Sequence, residues 1–142
     1  MYGNALNTYR RNSVSTLEDP KKIVKLLYEA AIKELNLVKL HYDEPLARGK
    51  HLGKAIAIVG ELQAGVNLEA GGEAAEFLYS LYAAMIKELS NLNGKEKGIE
   101  TLERSIRYLQ ELKKIWTEQV LNQPQQPVQE EEIAYKEAAG AR

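Results

Sequence analysis

The segment at residues 20–42 carries apolar side chains around far more of a helix than one packing interface covers. At about 100° per residue, one apolar stripe runs through Val24, Leu27 and Leu35, and a second stripe beside it contains Ile23 and Leu26. A surface helix normally has an apolar stripe only somewhat wider than about 100°. Either neighbouring helices cover most of this helix, or a binding partner does.

Length, charge and cysteine content restrict the class of protein. The 142 residues suffice for one domain with its own core, and no cysteine is present to cross-link it. No segment resembles a signal peptide or approaches the about 18 apolar residues of a membrane span, so a cytoplasmic protein without membrane insertion is expected. The net charge is −1 and the basic residues are dispersed, which argues against nucleic acid as a partner.

Apolar periodicity and helix-ending residues predict four helices. Asp19 can cap the first helix, and Pro20 suits its first position because proline needs no hydrogen-bond acceptor there. The predicted helices cover residues 20–42, residues 51–66 with a start as early as residue 46, a third segment from near Gly72 to Asn93-Gly94, and residues 95–121. Helices of this length with short connections alternate in direction. The expected fold is all-α, an antiparallel up-and-down four-helix bundle.

The segments on either side of the bundle lack a periodic pattern. Residues 1–18 are predicted to form an extended arm with a few isolated apolar residues, and residues 19–121 to form the bundle. Residues 122–142 are predicted to be a Gln/Pro-rich linker and a Glu-rich tail, disordered or forming a short helix.

Reactive constellations are scarce in this sequence. It has no glycine-rich phosphate loop, no nucleophile elbow and no HExxH pair, so neither an enzyme nor a cofactor is expected. His41 and His51 flank the first connection, with Asp43 and Glu44 between them. A metal site there is a weaker interpretation than ordinary surface histidines, because the spacing matches no known ligand pattern.

Tyrosine is over-represented, with eight tyrosines against one phenylalanine and one tryptophan. Its ring is apolar and its hydroxyl tolerates water, which suits surfaces that alternate between exposed and buried states. Together with the wide apolar arc of the first helix, this composition favours a peptide-binding surface. A homodimer interface is the alternative, and composition does not separate the two.

Three segments carry a family resemblance. Residues 19–32 combine Asp-Pro with Ile-Val-Lys-Leu-Leu-Tyr-Glu-Ala-Ala, residues 52–62 form a second helix of related pattern, and residues 67–85 contain Gly-Gly-Glu followed by Leu-Tyr. With Trp116 near the end of the fourth helix, these segments resemble the FliS family of flagellin-specific export chaperones. Departures such as Glu29-Ala30 in place of Asp-Gly concern the shape of the groove around the first helix rather than the bundle.

The resemblance implies a cytoplasmic chaperone. It implies a one-to-one complex with the carboxy-terminal segment of flagellin, prevention of premature polymerisation, assistance in type III export, and contact with the cytoplasmic domain of the flagellar export gate. It also implies that the amino-terminal arm occupies part of the groove until the client displaces it, a role suited to Tyr9, Val14 and Leu17. The competing hypothesis is a self-associating helical-bundle protein with no flagellin client.

The predicted client-binding surface consists of apolar residues on the first helix and the adjoining edges. We expect Tyr28→Asp to weaken the complex while stability changes little, since Tyr28 is placed on that surface. The predicted flagellin-binding residues are Tyr9, Ile23, Leu27, Tyr28, Ile32, Ile58, Leu62, Tyr79, Tyr82 and Ile86.

Overall fold

The computed structural model describes residues 19–94 and 96–122, in which all regular structure is helical. The helices are α1 (Pro20–Leu40), α2 (Pro45–Ala64), α3 (Leu68–Ser90) and α4 (Lys97–Trp116), and α4 continues into a π-helical turn at Thr117–Leu121. Helix α1 packs against α2 and α4, α2 packs against α3, and the seam between α3 and α4 is the slightest of the four. The predicted all-α bundle is confirmed. Tyr9, Val14, Leu17 and the tail lie outside the described residues.

The first two helices begin at prolines. The Asp19 carboxylate accepts a hydrogen bond from the Lys21 N–H at 3.1 Å, which caps α1 as predicted. Helix α1 ends at Leu40, two residues before the predicted end, and α2 begins at Pro45. The predicted start of α2 at residue 51 is wrong and the earlier alternative, residue 46, is closer, because proline at the first position of a helix needs no N–H partner.

Helix α3 begins earlier than predicted and contains a break. Its first residue is Leu68, and the Asn67 side chain accepts a hydrogen bond from the Ala70 N–H at 3.1 Å. Gly72 interrupts the helical geometry with φ of 63° and ψ of −147°, a conformation that favours glycine. The sequence signal near Gly72 therefore marks the break between a first turn at residues 68–71 and the long part of α3, which begins directly after Gly72 as predicted.

Helix α1 supplies the largest part of the core. Ala31, Leu35 and Val38 have no exposed surface, and α1 contacts two neighbouring helices, so most of its wide apolar arc is covered inside the bundle. A helix with two neighbours needs apolar residues over about twice the arc of a helix with one. Neighbouring helices therefore cover most of the apolar arc of α1. The first two turns of α1 border an open groove, and Leu40 in its last turn is exposed.

Tyr42 closes the end of the bundle at which α1 ends. Its ring is buried, and the Arg48 guanidinium lies 5.6 Å from the ring centroid. The Tyr42 hydroxyl lies against Gly98 of α4, where a Cβ atom would overlap it. Glycine is unfavourable inside a helix, and at residue 98 it leaves room for the tyrosine.

We expect Gly98→Ala to lower the free energy of unfolding by about 1–3 kcal/mol, because the added methyl group forces the buried Tyr42 ring to move. Gly53→Ala is the matched control: it is also a helical glycine, and a Cβ there meets nothing within 4 Å. That control is expected to raise the free energy of unfolding by about 0.4–1 kcal/mol. Urea denaturation measures both, and equal stabilisation by the two substitutions would contradict the contact between Tyr42 and Gly98.

Candidate functional site

An apolar groove of about 630 Å³ opens at one end of the bundle. The antiparallel order brings the first turns of α1 and α3 together with the last turns of α2 and α4 at this end. Each helix therefore contributes the terminal part of its apolar stripe, where no further turn of a neighbour covers it. The apolar wall consists of Pro20, Ile23, Val24, Leu27, Leu62, Ala64, Val66, Ala74, Ala75, Leu78 and Trp116.

Trp116 forms the rim of the groove between α1 and α4. Its indole N–H donates to the Lys21 carbonyl at 2.8 Å. A carbonyl oxygen has two acceptor positions, so this bond adds to the helical bond of α1 rather than replacing it. The contact holds the last turn of α4 against the first turn of α1, and it leaves the indole ring facing the groove.

Two tyrosines form the polar part of the groove floor. The hydroxyls of Tyr28 on α1 and Tyr82 on α3 lie 2.6 Å apart, and either can donate. The side chains are 3% and 1% exposed, and burial raises the pKa of both hydroxyls. The pair joins two helices that lie diagonally across the bundle. One hydroxyl donates to the other, so each oxygen has a partner inside the bundle, and burial leaves both almost inaccessible to a ligand.

A second apolar surface follows the seam between α3 and α4. The Glu88 carboxylate on α3 pairs with the Arg104 guanidinium on α4 at 3.0 Å. This ion pair identifies the row of side chains on each helix that faces the other helix across the seam. Moving along these rows in steps of three and four residues leads to apolar side chains that are exposed or, at Leu81, half-buried. We call Phe77, Leu81, Tyr108 and Ile115 the seam strip; Phe77 is 70% and Ile115 46% exposed.

The seam strip is continuous with the groove. Phe77 precedes Leu78 on α3, and Ile115 precedes Trp116 on α4; Leu78 and Trp116 both line the groove. Helix α3 makes few contacts with α4, so apolar side chains on both sides of the seam stay exposed. An extended apolar ligand can therefore contact both surfaces without a break.

A polar depression lies at the opposite end of the bundle. Its volume is about 660 Å³, and residues of the last turn of α3, the α3–α4 connection and the first turns of α4 line it, among them Glu88, Glu96, Lys97 and Arg104. Charged side chains disfavour the burial of an apolar segment. This end is consequently a poorer match than the groove for a hydrophobic ligand.

His41 and His51 meet across the first connection, with ring centroids 5.8 Å apart. His51 Nδ1 lies 2.7 Å from Glu34 Oε1, and His41 Nδ1 lies 3.0 Å from Glu44 Oε1. Glu34 is a buried carboxylate of α1, so the His51 bond satisfies it and ties α1 to α2. Within the described ranges no group of three or more His, Cys, Asp or Glu side chains is arranged to hold a metal ion.

The predicted client-binding residues divide into two groups. Ile23, Leu27, Tyr28, Leu62 and Tyr82 line the groove. Ile32, Ile58, Tyr79 and Ile86 lie elsewhere: Ile58 is a core residue, Ile32 and Ile86 pack against the core, and Tyr79 is partly exposed on α3. A client-binding role for these residues stays a prediction.

The expectation that Tyr28 is a surface residue is wrong. Only 3% of Tyr28 is exposed, and its hydroxyl is bonded to Tyr82. An aspartate at residue 28 would place a carboxylate among apolar side chains, which costs several kcal/mol. Tyr28→Asp therefore tests the fold as much as it tests binding.

Four residues that line the groove are absent from the predicted client-binding set. They are Val24, Val66, Leu78 and Trp116. Val24 and Trp116 lie in the end turns of their helices, Val66 lies just beyond the end of α2, and Leu78 lies in the second turn after the Gly72 kink. The available signal was their position: in an antiparallel bundle the first residues of one stripe meet the last residues of the next.

No helix within residues 19–94 and 96–122 combines the length and apolar content needed to cross a membrane.

Comparison with known proteins agrees with the resemblance noted in the sequence. Residues 2–124 match the family described as "Flagellar protein FliS". The flagellar secretion chaperone FliS of Vibrio cholerae is 30% identical over 117 residues, which cover 79% of this chain and 85% of that protein. The flagellar secretion chaperone FliS of Salmonella typhimurium is 35% identical over 89 residues, 59% of this chain and 66% of that protein. No solved structure matches the chain.

The tyrosine pair predicts alkaline destabilisation. Above about pH 10 the unfolded tyrosines ionise, whereas the folded pair stays protonated because burial raises both pKa values. Its stabilising effect is complete below pH 10 and is lost as the pH rises towards the folded pKa values. Each tyrosine contributes a loss of up to about 1.4 kcal/mol per pH unit, measured by urea denaturation between pH 7 and pH 11.

The double variant Tyr28→Phe/Tyr82→Phe is the control, because other tyrosines and lysines also titrate in this range. It should lose stability less steeply with pH than the unsubstituted protein. Each single substitution leaves one buried hydroxyl unpaired and is expected to cost about 1–3 kcal/mol at pH 7, while the double substitution costs less than the sum. Identical dependence of stability on pH in the double variant and the unsubstituted protein would show that the tyrosine pair does not cause the alkaline destabilisation.

Proposed function

This chain belongs to the FliS family of flagellar proteins and is a flagellar export chaperone, and we propose that its client is the carboxy-terminal segment of flagellin. The proposal places a one-to-one complex in the cytoplasm, where the bound segment is kept from polymerising until export. The family membership supports a flagellar client. The groove and its continuation into the seam strip are the observation that supports an extended apolar segment as the client.

Apolar burial is the recognition chemistry that this surface supports best. Small-molecule sites orient their ligands with a few convergent polar groups, but here the two tyrosine hydroxyls of the floor bind each other. Binding an amphipathic segment by its apolar face removes apolar area from water at about 25 cal/mol per Å². The groove with its rim at Trp116 suits a helical or extended segment of this kind.

Covering such a segment explains how a chaperone without catalytic chemistry prevents assembly. A segment that builds the interior of a filament exposes a large apolar patch as a monomer, and exposed patches drive association. While the patch lies in the groove and along the seam strip, it is unavailable to another flagellin molecule. Delivery then requires a docking partner, for which we propose the cytoplasmic domain of the flagellar export gate.

The binding prediction uses full-length flagellin and flagellin without its carboxy-terminal segment. Full-length flagellin should form a stable one-to-one complex with this protein, measured by calorimetry and light scattering, and the truncated form should not bind. Equal binding of both forms would exclude the carboxy-terminal segment as the ligand. A chaperone dimer whose mass is independent of concentration and of flagellin would instead favour the self-associating alternative.

Two substitutions locate the client on the proposed surface. Val24→Asp in the groove and Phe77→Asp on the seam strip should each weaken the complex at least about tenfold, since each places a carboxylate in an apolar interface. Phe77 is largely exposed, so its substitution should leave the melting temperature almost unchanged. The matched control is Leu46→Asp, because Leu46 is 91% exposed and lies at the start of α2, at the opposite end of the bundle.

We further propose that the amino-terminal arm competes with the client for the groove. The described chain enters α1 at Pro20, which itself lines the groove, so the preceding residues start from its edge. Tyr9, Val14 and Leu17 are the apolar residues of the arm suited to occupy it.

Removal of residues 1–18 should raise the affinity for flagellin about tenfold, if the arm occupies the groove about nine-tenths of the time. Tyr9→Ser/Val14→Ser/Leu17→Ser in the full chain should reproduce the gain, and the polar control Thr8→Ser/Ser13→Ala should not. Calorimetry measures the affinities. Unchanged or weaker binding after removal of the arm would rule out the competition.

A further inference from the structure

The first turns of α1 carry charge of the sign opposite to what their position favours. Lys21, Lys22 and Lys25 lie there, and the first turn contains no carboxylate, although the amino-terminal end of a helix favours negative charge. The last turn of α4 adds Lys113 and Lys114, and the bond from Trp116 to α1 holds this turn alongside. We call Lys21, Lys22, Lys25, Lys113 and Lys114 the lysine face.

Carboxylates of the described chain neutralise little of the lysine face. Lys113 Nζ lies 3.5 Å from Glu29 Oε2, and Asp19 is engaged in capping α1. The adjoining π turn adds one more carboxylate, Glu118. The other four lysines make no ion pair with any carboxylate in residues 19–94 or 96–122.

The chain after residue 122 has the complementary charge. Residues 130–137 read Glu-Glu-Glu-Ile-Ala-Tyr-Lys-Glu, with four carboxylates and one lysine. The described chain reaches Asn122 through the π turn, which packs against α1, so the tail departs beside the lysine face. The seven intervening residues span up to about 25 Å when extended, whereas Lys21 and Lys25 lie about 6 Å apart along the helix.

We propose that residues 130–137 dock on the lysine face of their own chain. Glu130, Glu131 and Glu132 lie beside the lysines, and Ile133 and Tyr135 lie against Trp116 at the rim of the groove. An exposed ion pair contributes little by itself. The short tether keeps the two charged segments at an effective concentration in the millimolar range, so that several weak contacts suffice to populate the docked state.

Paramagnetic NMR tests the docking directly in the full chain. The sequence has no cysteine, so Ala134→Cys provides a unique site for a nitroxide label. At low salt the label should broaden the amide signals of residues 21–25 and 113–117 most strongly. In 1 M NaCl, where the screening length is about 3 Å, the broadening at residues 21–25 should fall to the level of a freely moving tail.

Charge-reversal variants distinguish electrostatic docking from the proximity that the short tether alone produces. Glu130→Lys/Glu131→Lys/Glu132→Lys should abolish the salt-dependent broadening, and adding Lys21→Glu/Lys22→Glu/Lys25→Glu should restore it. The matched control adds Lys50→Glu/Lys54→Glu, two exposed lysines of α2, a helix that does not pack against the π turn; this control should not restore the broadening. Broadening that does not change with salt or with charge reversal, or that appears instead along α2 and α3, would overturn the proposal.

The docked tail also restricts access to the groove, a step that rests on the proposed function. A chain ending at residue 122 should then bind flagellin several-fold more tightly than the full chain at low salt, with the two affinities converging in 1 M NaCl. Equal affinities at low salt would overturn the competition. Absence of flagellin binding by both chains would count against the proposed function instead, and the NMR result requires no flagellin.

Discussion

Every other helix of the bundle depends on the burial of α1. It packs against α2 on one side and α4 on the other, and its Tyr28 hydroxyl reaches Tyr82 of α3 across the interior. The apolar arc must therefore be wide simply to serve these neighbours. Because α2 and α4 cover α1 along most of its length, its apolar side chains meet open space mainly at its two ends, in the groove beside its first two turns and at Leu40, which is 72% exposed.

The number and type of helices were predictable from local chemistry, whereas several boundaries were not. Asp19-Pro20 is a short-range signal for a helix start, and the structure uses it in that way. Gly98 could not be interpreted from sequence, since the reason for a glycine there is the hydroxyl of Tyr42, which is 56 residues away in the chain. Pro45 and Gly72 were ambiguous, because both residues occur in connections as well as at the edges or breaks of helices.

The candidate site was predictable as a region and less so residue by residue. Periodicity identifies which side chains share a helix face, but it does not say where along the helix that face becomes uncovered. Ile58 and Leu62 are separated by one helical turn on α2, yet the first is core and the second lines the groove. That difference comes from the end of the bundle, a property of the assembled helices.

Because α3 and α4 make few contacts with each other, local stability differs between parts of the bundle. Stability in a folded domain is local as well as global, and the elements with few buried contacts open at the lowest free energy. Helix α3 is held mainly from one side by α2, and its Gly72 kink separates the first turn from the rest. The seam between α3 and α4 is thus the part of the bundle expected to open at the lowest free energy, while α1 keeps its packing against α2 and α4.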